Sequence, residues 1–343
     1  MSIAGVKAGD IIGRDFRVVK PLAAGAMGAV YVVEQISTGK QRALKVMAAE
    51  LAKNERARER FVLEARVGAQ IDSAHVVEVV TAGVDEESGA PYLVMELLRG
   101  EPLSALMERR GAMPLAEVTE LLLQVGHALA QAHAQGIVHR DIKPDNLFVA
   151  ESRREGVLCT VKILDFGIAK LVAECTHEGT QPMGTPLFMA PEQTDRQGVI
   201  GPQTDVWPLG LIAFELLTGH SYWLAAEASL SALLREVVID EIVPASVRAA
   251  ELGAAEHLPA GFDAWFARCV DRDPQARFAE AGEAVRAFQT LDDSVASAPG
   301  RAPTAASGTG QASGAAATVL DVAVDTDGPG DVVVAPGATA PRQ

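Results

Sequence analysis

The chain has 343 residues, a hydrophobic share of 48% and a formal net charge of −15, from 45 acidic and 30 basic residues. This length allows two domains, and the hydrophobic share excludes a chain that is disordered throughout. The acidic balance argues against nonspecific binding to nucleic acid or acidic lipid, although a well-solvated surface explains the same charge.

The cysteines and the absence of long apolar runs indicate the cellular compartment of the protein. Cys159, Cys175 and Cys269 share no short spacing, which excludes a disulfide framework and favours reduced thiols. The first residues contain no run typical of a signal peptide, and no stretch of about 18 apolar residues predicts a membrane span. We therefore predict a cytoplasmic protein without a membrane span.

The N-terminal part of the sequence predicts a hairpin that contains glycines, followed by a strand that carries a lysine. Two β-rich runs within residues 16–33 flank a small-residue turn, where Gly25 and Gly28 allow close approach of a ligand. A glycine hairpin is more often only a hairpin. Lys45 follows among apolar neighbours on a predicted strand, where it either pairs with an acid or extends its ammonium to solvent.

A charged helix is predicted over residues 48–71. Glu64 borders its apolar stripe, whereas Glu55 and Glu59 are typical of solvated surface. Two strands are predicted next, over residues 76–83 and 92–97, joined by a turn.

A long apolar-periodic helix is predicted over residues 114–135, and we interpret its His127 and His133 as structural. Residues 137–146 then read I-V-H-R-D-I-K-P-D-N, which brings an acid, a cation and an amide into one loop. The acid can accept a hydroxyl proton, the cation can neutralise phosphate, and the amide oxygen suits Mg²⁺. An ordinary polar turn is the alternative. Further on, D-F-G follows an apolar strand at residues 165–167, and A-P-E occupies residues 190–192.

These motifs, in this order, resemble those of protein kinases, and the lysine in the loop is similar to that of the serine/threonine branch. The resemblance extends from about residue 10 to residue 291, and the chain is identified as a eukaryotic-like serine/threonine protein kinase of the kind found in bacteria. It implies an α+β, two-lobed fold. A kinase domain over residues 11–292 would comprise a small antiparallel β-sheet lobe (11–97) and a larger, mostly helical lobe (98–292).

The resemblance also implies how ATP is bound. The glycine-rich loop would comprise Ala23, Gly25, Gly28 and Val30, with alanine at the position of the first glycine. Lys45 would hold the α- and β-phosphates.

Other parts of the nucleotide site follow from the same likeness. Glu64 would pair with the phosphate-holding lysine. Met95 would be the gatekeeper, and adenine would bond to the hinge backbone around Glu96 and Leu98, so that side chains there carry little information.

Phosphoryl transfer would be performed by the loop and the D-F-G motif. Asp141 would orient the serine or threonine hydroxyl, and Lys143 would steady the γ-phosphate. Asn146 and Asp165 would bind Mg²⁺, or Mn²⁺ in its place. Thr185 would position the protein substrate.

The resemblance also assigns structural roles to residues outside the nucleotide site. Asp205 would hold its backbone, and Arg277 would pair with Glu192 and so tie the activation segment to the large lobe. Pro208 is expected within the first turn of a buried helix, where its missing N–H is tolerated.

The activation loop is expected to be a site of autophosphorylation. Arg140 directly precedes the catalytic aspartate, and kinases with that arginine are often controlled by a loop phosphate, which supplies its anionic partner. Thr180 is favoured and Thr176 is second, whereas Glu174 and Glu178 could mimic the charge instead. Phosphorylation in trans would require a transient homodimer.

From about Ser294 the composition turns to Ala, Gly, Pro, Ser and Thr, so residues 293–343 are predicted to form a disordered tail. Thr318 and Asp321 within it have a spacing that resembles ligands of phosphothreonine-reading domains, although an idle tail is favoured.

The motifs present in the sequence disfavour three rival functions. A scaffold pseudokinase would lack Lys45, Asp141 or Asp165; a small-molecule phosphotransferase would lack A-P-E; a tyrosine-directed kinase would lack Lys143. The sequence leaves the protein substrates, the upstream signal and the oligomeric state open.

Overall fold

A computed structural model describes residues 6–25, 28–48, 70–152, 159–165, 187–195 and 197–296. Several expectations from the sequence therefore lie outside the described residues. They concern the helix of residues 48–71 with Glu64, the activation-loop residues Thr176, Thr180 and Thr185, and the tail beyond residue 296.

The first lobe is an antiparallel sheet with the strand order β1-β2-β3-β4-β6-β5. Its strands are β1 (Ile11–Ile12), β2 (Phe16–Gly25), β3 (Gly28–Gln35), β4 (Lys40–Met47), β5 (Val79–Val84) and β6 (Pro91–Glu96). At the start of β2, buried Phe16 and Val18 alternate with exposed Arg17 and Val19, as expected for a strand with one solvated face. The predicted hairpin is thus confirmed.

A second, three-stranded antiparallel sheet, called the lower sheet below, lies next to the first, which is called the upper sheet. It has the order β7-β8-β9, with β7 (Gly100–Pro102), β8 (Leu147–Glu151) and β9 (Cys159–Ile163). The segment that precedes β5 connects the two sheets: Val77 N–H donates to the Ile163 carbonyl at 3.0 Å, and Ile163 N–H donates to the His75 carbonyl at 2.8 Å. The strand that leads to the D-F-G motif is therefore fastened to the upper lobe.

Seven α-helices are described, all in the second lobe. They are α1 (Leu103–Arg110), α2 (Leu115–Ala134), α3 (Pro202–Thr218), α4 (Leu230–Val238), α5 (Ala245–Glu251), α6 (Phe262–Cys269) and α7 (Ala281–Ala296). The α2 bounds agree closely with the predicted 114–135, and Leu122, Leu129 and Ala132 are buried as its periodicity predicts. Among the described residues, none of these helices is long and apolar enough to span a bilayer.

The expected position of Pro208 is wrong. Helix α3 begins at Pro202, so Pro208 lies in the helix interior, where a proline removes the hydrogen bond to the carbonyl four residues earlier. The neighbouring Gln203 carbonyl accepts a hydrogen bond of 3.0 Å from Arg277 Nη1. A side chain from another segment therefore supports the backbone of this first part of the helix.

Candidate active site

An apolar layer lies between the two sheets. Its buried members are Val30, Ala43, Met47, Val77, Leu93 and Met95 on the upper side and Phe148, Ala150 and Leu164 on the lower side. Ala23, Leu97 and Leu98 pack against it, partly buried. The predicted nucleotide residues Ala23, Val30, Met95 and Leu98, which are distant in sequence, thus share one apolar cluster, as a flat aromatic base requires.

Gly28 is required for a reason that the sequence analysis did not give. Its φ is +150°, and a Cβ at this position would lie 1.9 Å from the Val46 carbonyl oxygen of β4. Any side chain would therefore push β3 away from β4, whatever ligand approaches the loop. Gly25 pairs with Gly28 at the end of the hairpin, and residues 26 and 27 lie outside the described part.

Lys45 lies on β4, and its side chain contacts Asp165. The distance from Lys45 Nζ to Asp165 Oδ2 is 2.7 Å, and the two side chains are only 7% and 14% exposed. The buried ammonium is thus paired with an acid, one of the two arrangements the sequence predicted. The observed partner comes from the D-F-G motif, and the predicted partner Glu64 lies outside the described residues.

The catalytic loop brings its acid, cation and amide together. Asn146 Nδ2 donates to the Asp141 carbonyl at 2.7 Å and to Asp141 Oδ2 at 2.9 Å, and Lys143 Nζ lies 3.3 Å from the same Oδ2. These contacts hold the Asp141 carboxylate in one orientation. The Asp141 side chain remains 25% exposed, so its carboxylate is accessible from the solvent.

His139 joins the catalytic loop to the D-F-G strand. It is fully buried, its Nε2 lies 3.0 Å from the Leu164 carbonyl, and Asp141 N–H donates to its Nδ1 at 3.3 Å. Leu164 N–H in turn donates to the Asn146 carbonyl at 2.9 Å. Asp141 and Asp165 are therefore fixed relative to each other through short backbone segments.

Two residues at this junction adopt left-handed backbone conformations. Arg140 has φ +67° and Asp165 has φ +50°. Non-glycine residues in this region are strained, and such strain persists only where surrounding contacts hold it.

Asp205 supplies the contacts that hold the strained backbone of the loop. Its Oδ2 accepts from His139 N–H and its Oδ1 from Arg140 N–H, both at 2.8 Å. The side chain is 1% exposed, and His133 Nε2 lies 2.9 Å from Oδ2. The predicted supporting role of Asp205 is observed, and the structural interpretation of His133 agrees with this contact.

The A-P-E segment is bound to the large lobe by a buried ion pair. Arg277 donates from Nη1 and Nη2 to the two carboxylate oxygens of Glu192, at 2.9 and 2.8 Å, as the sequence predicted. Gln193 adds a link that the sequence analysis missed, because its Nε2 donates to the Arg140 carbonyl at 2.7 Å. Only the fold brings Gln193 to a loop more than fifty residues earlier, so no spacing rule could have found it.

The side-chain oxygens of Asp165 and Asn146 suit a hard divalent cation that is bound together with phosphate. The described residues contain no group of three or more His, Cys, Asp or Glu side chains that could hold a metal by themselves. Asn146 uses its amide nitrogen for Asp141, which leaves its Oδ1 as the oxygen that a metal would take. Mg²⁺ is commonly bound by one or two protein oxygens together with substrate phosphates, and Asp165 with Asn146 fits that pattern.

The fold and this site define a protein kinase, and comparisons with known proteins agree. The family model described as the protein kinase domain matches residues 16–289, so the chain belongs to this family.

The relatives include curated bacterial serine/threonine kinases. Pkn1 of Myxococcus xanthus is 40% identical over 282 residues, which cover 81% of this chain and 37% of that protein. PknL of Mycobacterium bovis is 36% identical over 261 residues, which cover 76% of this chain and 61% of that protein. The chain thus spans less than two thirds of the length of these relatives.

Solved structures show the same fold. The PknI kinase domain of Mycobacterium tuberculosis superimposes with a TM-score of 0.63 at 24% identity, covering 84% of this chain and 99% of that domain. The α+β, two-lobed kinase architecture predicted from the sequence is confirmed.

Proposed function

We propose that this chain is a serine/threonine protein kinase that transfers the γ-phosphate of ATP to hydroxyl groups of protein substrates. The observation that carries the proposal is the arrangement of two acid–cation pairs near one apolar cluster between the two sheets. Lys45 with Asp165 and Asp141 with Lys143 are linked by the His139 and Asn146 contacts. Phosphoryl transfer needs positioning and charge neutralisation more than covalent work by the protein, and this arrangement supplies both.

Each side chain has one task in this proposal. The cleft around Val30 and Met95 takes the adenine, and Lys45 neutralises the inner phosphates. Asp165 and Asn146 contribute oxygens to Mg²⁺, or to Mn²⁺ in its place, which screens the charge of the phosphates when bound. Asp141 accepts the hydrogen bond of the substrate hydroxyl, and Lys143 offsets the charge that develops on the transferred group.

The test compares purified wild-type protein with the Asp141→Asn variant. The wild type, given labelled ATP and Mg²⁺, should label itself or a generic serine- and threonine-rich protein, and mass spectrometry should locate phosphoserine or phosphothreonine. Asp141→Asn preserves an acceptor for Asn146 but removes the charge. It should lower the rate by about 100- to 10,000-fold with nearly unchanged nucleotide affinity and melting temperature.

Other outcomes discriminate the alternatives. Nucleotide binding without phosphotransfer by the wild type would favour a scaffold pseudokinase. Phosphotyrosine as the main product would contradict the assignment from Lys143. Label appearing only on a small-molecule acceptor would indicate a small-molecule phosphotransferase.

The proposal includes control by loop phosphorylation in a signalling role. Thr180, with Thr176 second, is the proposed autophosphorylation site, reached in trans within a transient homodimer. Arg140 supports it, since this residue is held in a strained conformation beside the catalytic acid and carries a permanent charge. A Thr176→Ala/Thr180→Ala variant should lose most activity, and full activity from protein shown to carry no loop phosphate would contradict this control.

A further inference from the structure

Lys162 is a lysine on the lower sheet to which the motifs assign no role. It lies in β9, where it pairs with Phe148 of β8, three residues before Asp165. Its Nζ lies 2.6 Å from Glu96 Oε1, and the two side chains are 15% and 20% exposed. The same Nζ donates to the Val76 carbonyl at 3.3 Å. The ammonium therefore reaches from the lower sheet to the upper lobe.

Glu96 is the last residue of β6 and the first residue of the predicted hinge. Its Oε1 accepts both from Lys162 and from Glu78 N–H, the latter at 2.9 Å, while its own N–H donates to the Glu78 carbonyl at 3.0 Å. The carboxylate thus completes a two-way exchange of hydrogen bonds with Glu78. This exchange extends the pairing of the end of β6 with the segment before β5.

These contacts place one charged pair at the meeting point of three elements. They are the strand that leads to Asp165, the segment of residues 75–78 that bridges the sheets, and the residue where the hinge begins. An ion pair that is mostly buried resists rearrangement because breaking it leaves an unpaired charge in a poorly solvated place. The Glu96 side chain, to which the sequence assigned no role, therefore contacts two other segments of the chain.

We infer that Lys162 is a positioning residue for the nucleotide site. By holding the Glu96 carboxylate, it sets the backbone at the start of the hinge, where adenine binds according to the proposed function. Lys162 touches neither phosphate nor the acceptor hydroxyl in this scheme. Its loss therefore weakens nucleotide binding and leaves the chemical step largely intact.

The test measures nucleotide affinity and kinetics separately in the full chain. Lys162→Met keeps the length and apolar stem of the side chain and removes the charge. We expect KM for ATP, and Kd for a non-hydrolysable ATP analogue with Mg²⁺, to rise about tenfold, the size expected for a hydrogen bond to a charged group. The turnover number kcat should stay within about twofold of wild type. Lys162→Arg should restore most of the affinity.

Three further variants control for folding and for the general loss of an ion pair. Glu96→Gln retains an acceptor for Glu78 N–H, and its effect on KM should not add to that of Lys162→Met, because both break one interaction. If Lys162→Met does not fold, Lys162→Gln combined with Glu96→Gln gives the same comparison. Arg17→Gln breaks the Arg17–Glu34 pair on the outer part of the upper sheet and should leave KM unchanged.

The outcomes separate this inference from the proposed function. A folded Lys162→Met protein with wild-type KM and Kd would overturn the inference and leave the kinase activity standing. So would a fall in kcat at unchanged KM, which would assign Lys162 to the Asp165 strand instead. A wild-type chain that binds no nucleotide and transfers no phosphate would overturn both.

Discussion

At the scale of single residues, the site depends on acids whose surroundings determine what they can do. Asp141 contacts the amide of Asn146 and the ammonium of Lys143 but stays partly exposed. Asp205, in contrast, is almost fully buried, and both of its carboxylate oxygens accept hydrogen bonds from backbone N–H groups. The same side chain is thus partly exposed in one place, where we propose a chemical role, and holds the loop backbone in the other.

We expect Asp205→Asn to damage activity more than stability. The amide has only one acceptor oxygen, so its NH₂ group must face the N–H of His139 or of Arg140. The strained loop should then shift, which lowers kcat/KM by about 100-fold, with about 1–3 kcal/mol lost in the free energy of unfolding. Steady-state kinetics and urea unfolding measure the two effects.

Asp263→Asn is the matched control for this substitution. Both carboxylate oxygens of Asp263 also accept hydrogen bonds, from Ser246 N–H and its hydroxyl, far from the catalytic loop. The control should lose some stability at unchanged kcat/KM. Equal kinetic losses in both variants would contradict the supporting role of Asp205.

Glu215 predicts a pH dependence of stability. Burial, with a smaller contribution from the negative charge of Asp145, raises the pKa of Glu215 from 4.5 to about 7. The folded state therefore binds a proton that the unfolded state releases above about pH 4.5. The stabilising contribution is complete below that pH and is lost as the pH rises through about 7.

The uncharged variant Glu215→Gln tests this dependence. It should be more stable than wild type at pH 8, by up to about 3 kcal/mol, with the difference shrinking towards pH 4.5. Urea unfolding across this pH range gives the comparison, and Glu256→Gln, at an exposed side chain, is the control. A stability difference that does not change with pH would contradict the role of the Glu215 charge.

At the scale of elements, the link between the A-P-E segment and the helical lobe depends on Arg277. Its side chain is fully buried and donates to Glu192, to the Gln203 carbonyl and, at 2.6 Å, to the Asp271 carbonyl. It also lies over the Trp207 ring, 5.0 Å from the centroid. One guanidinium thereby connects the A-P-E segment, helix α3 and the segment that contains Asp271.

Arg277→Lys should therefore be strongly destabilising although it keeps the charge. A lysine has no planar fork and leaves several buried acceptors unpaired, so we expect about 3–5 kcal/mol less free energy of unfolding. Arg286→Lys, at an exposed pair with Glu280, should stay within about 0.5 kcal/mol. Similar losses of the free energy of unfolding in both variants would show that the buried pair contributes no more to stability than the exposed pair.

At the scale of the whole molecule, the described helices surround one large apolar cluster that contains Trp207, Phe214 and Phe288. The last described helix, α7, packs on α2 so closely that a Cβ at Gly126 would lie 2.3 Å from Val285 Cγ2. This helix completes the large lobe.

Removal of residues 297–343 should leave the folded domain intact. Their composition cannot bury enough apolar surface to offset the entropy of ordering, so no packed core should be lost. We expect a melting temperature and intrinsic activity close to those of the full chain, measured by calorimetry and by phosphate transfer. A melting temperature lower by several degrees would refute the predicted disorder.

The sequence by itself determined the family and the fold class, and it predicted the residues of the site. Two β-rich runs around a small-residue turn predicted β2 and β3, and periodicity predicted α2. Short motifs pointed to Lys45, Asp141, Asn146 and Asp165 as site residues, because the residues of an element or of a loop motif are neighbours in the sequence.

The family resemblance predicted two long-range contacts that the structure shows, Arg277 with Glu192 and Asp205 with the catalytic loop, but other contacts were decided only by the tertiary structure. It paired Lys45 with Asp165, placed Gln193 on the Arg140 carbonyl, joined Lys162 to Glu96, and showed Pro208 inside a helix. Such contacts depend on how strands and helices pack, and no motif in the sequence assigned these particular partners to each other. The reason for Gly28 is of the same kind, since the Val46 carbonyl that excludes a side chain arrives with the neighbouring strand.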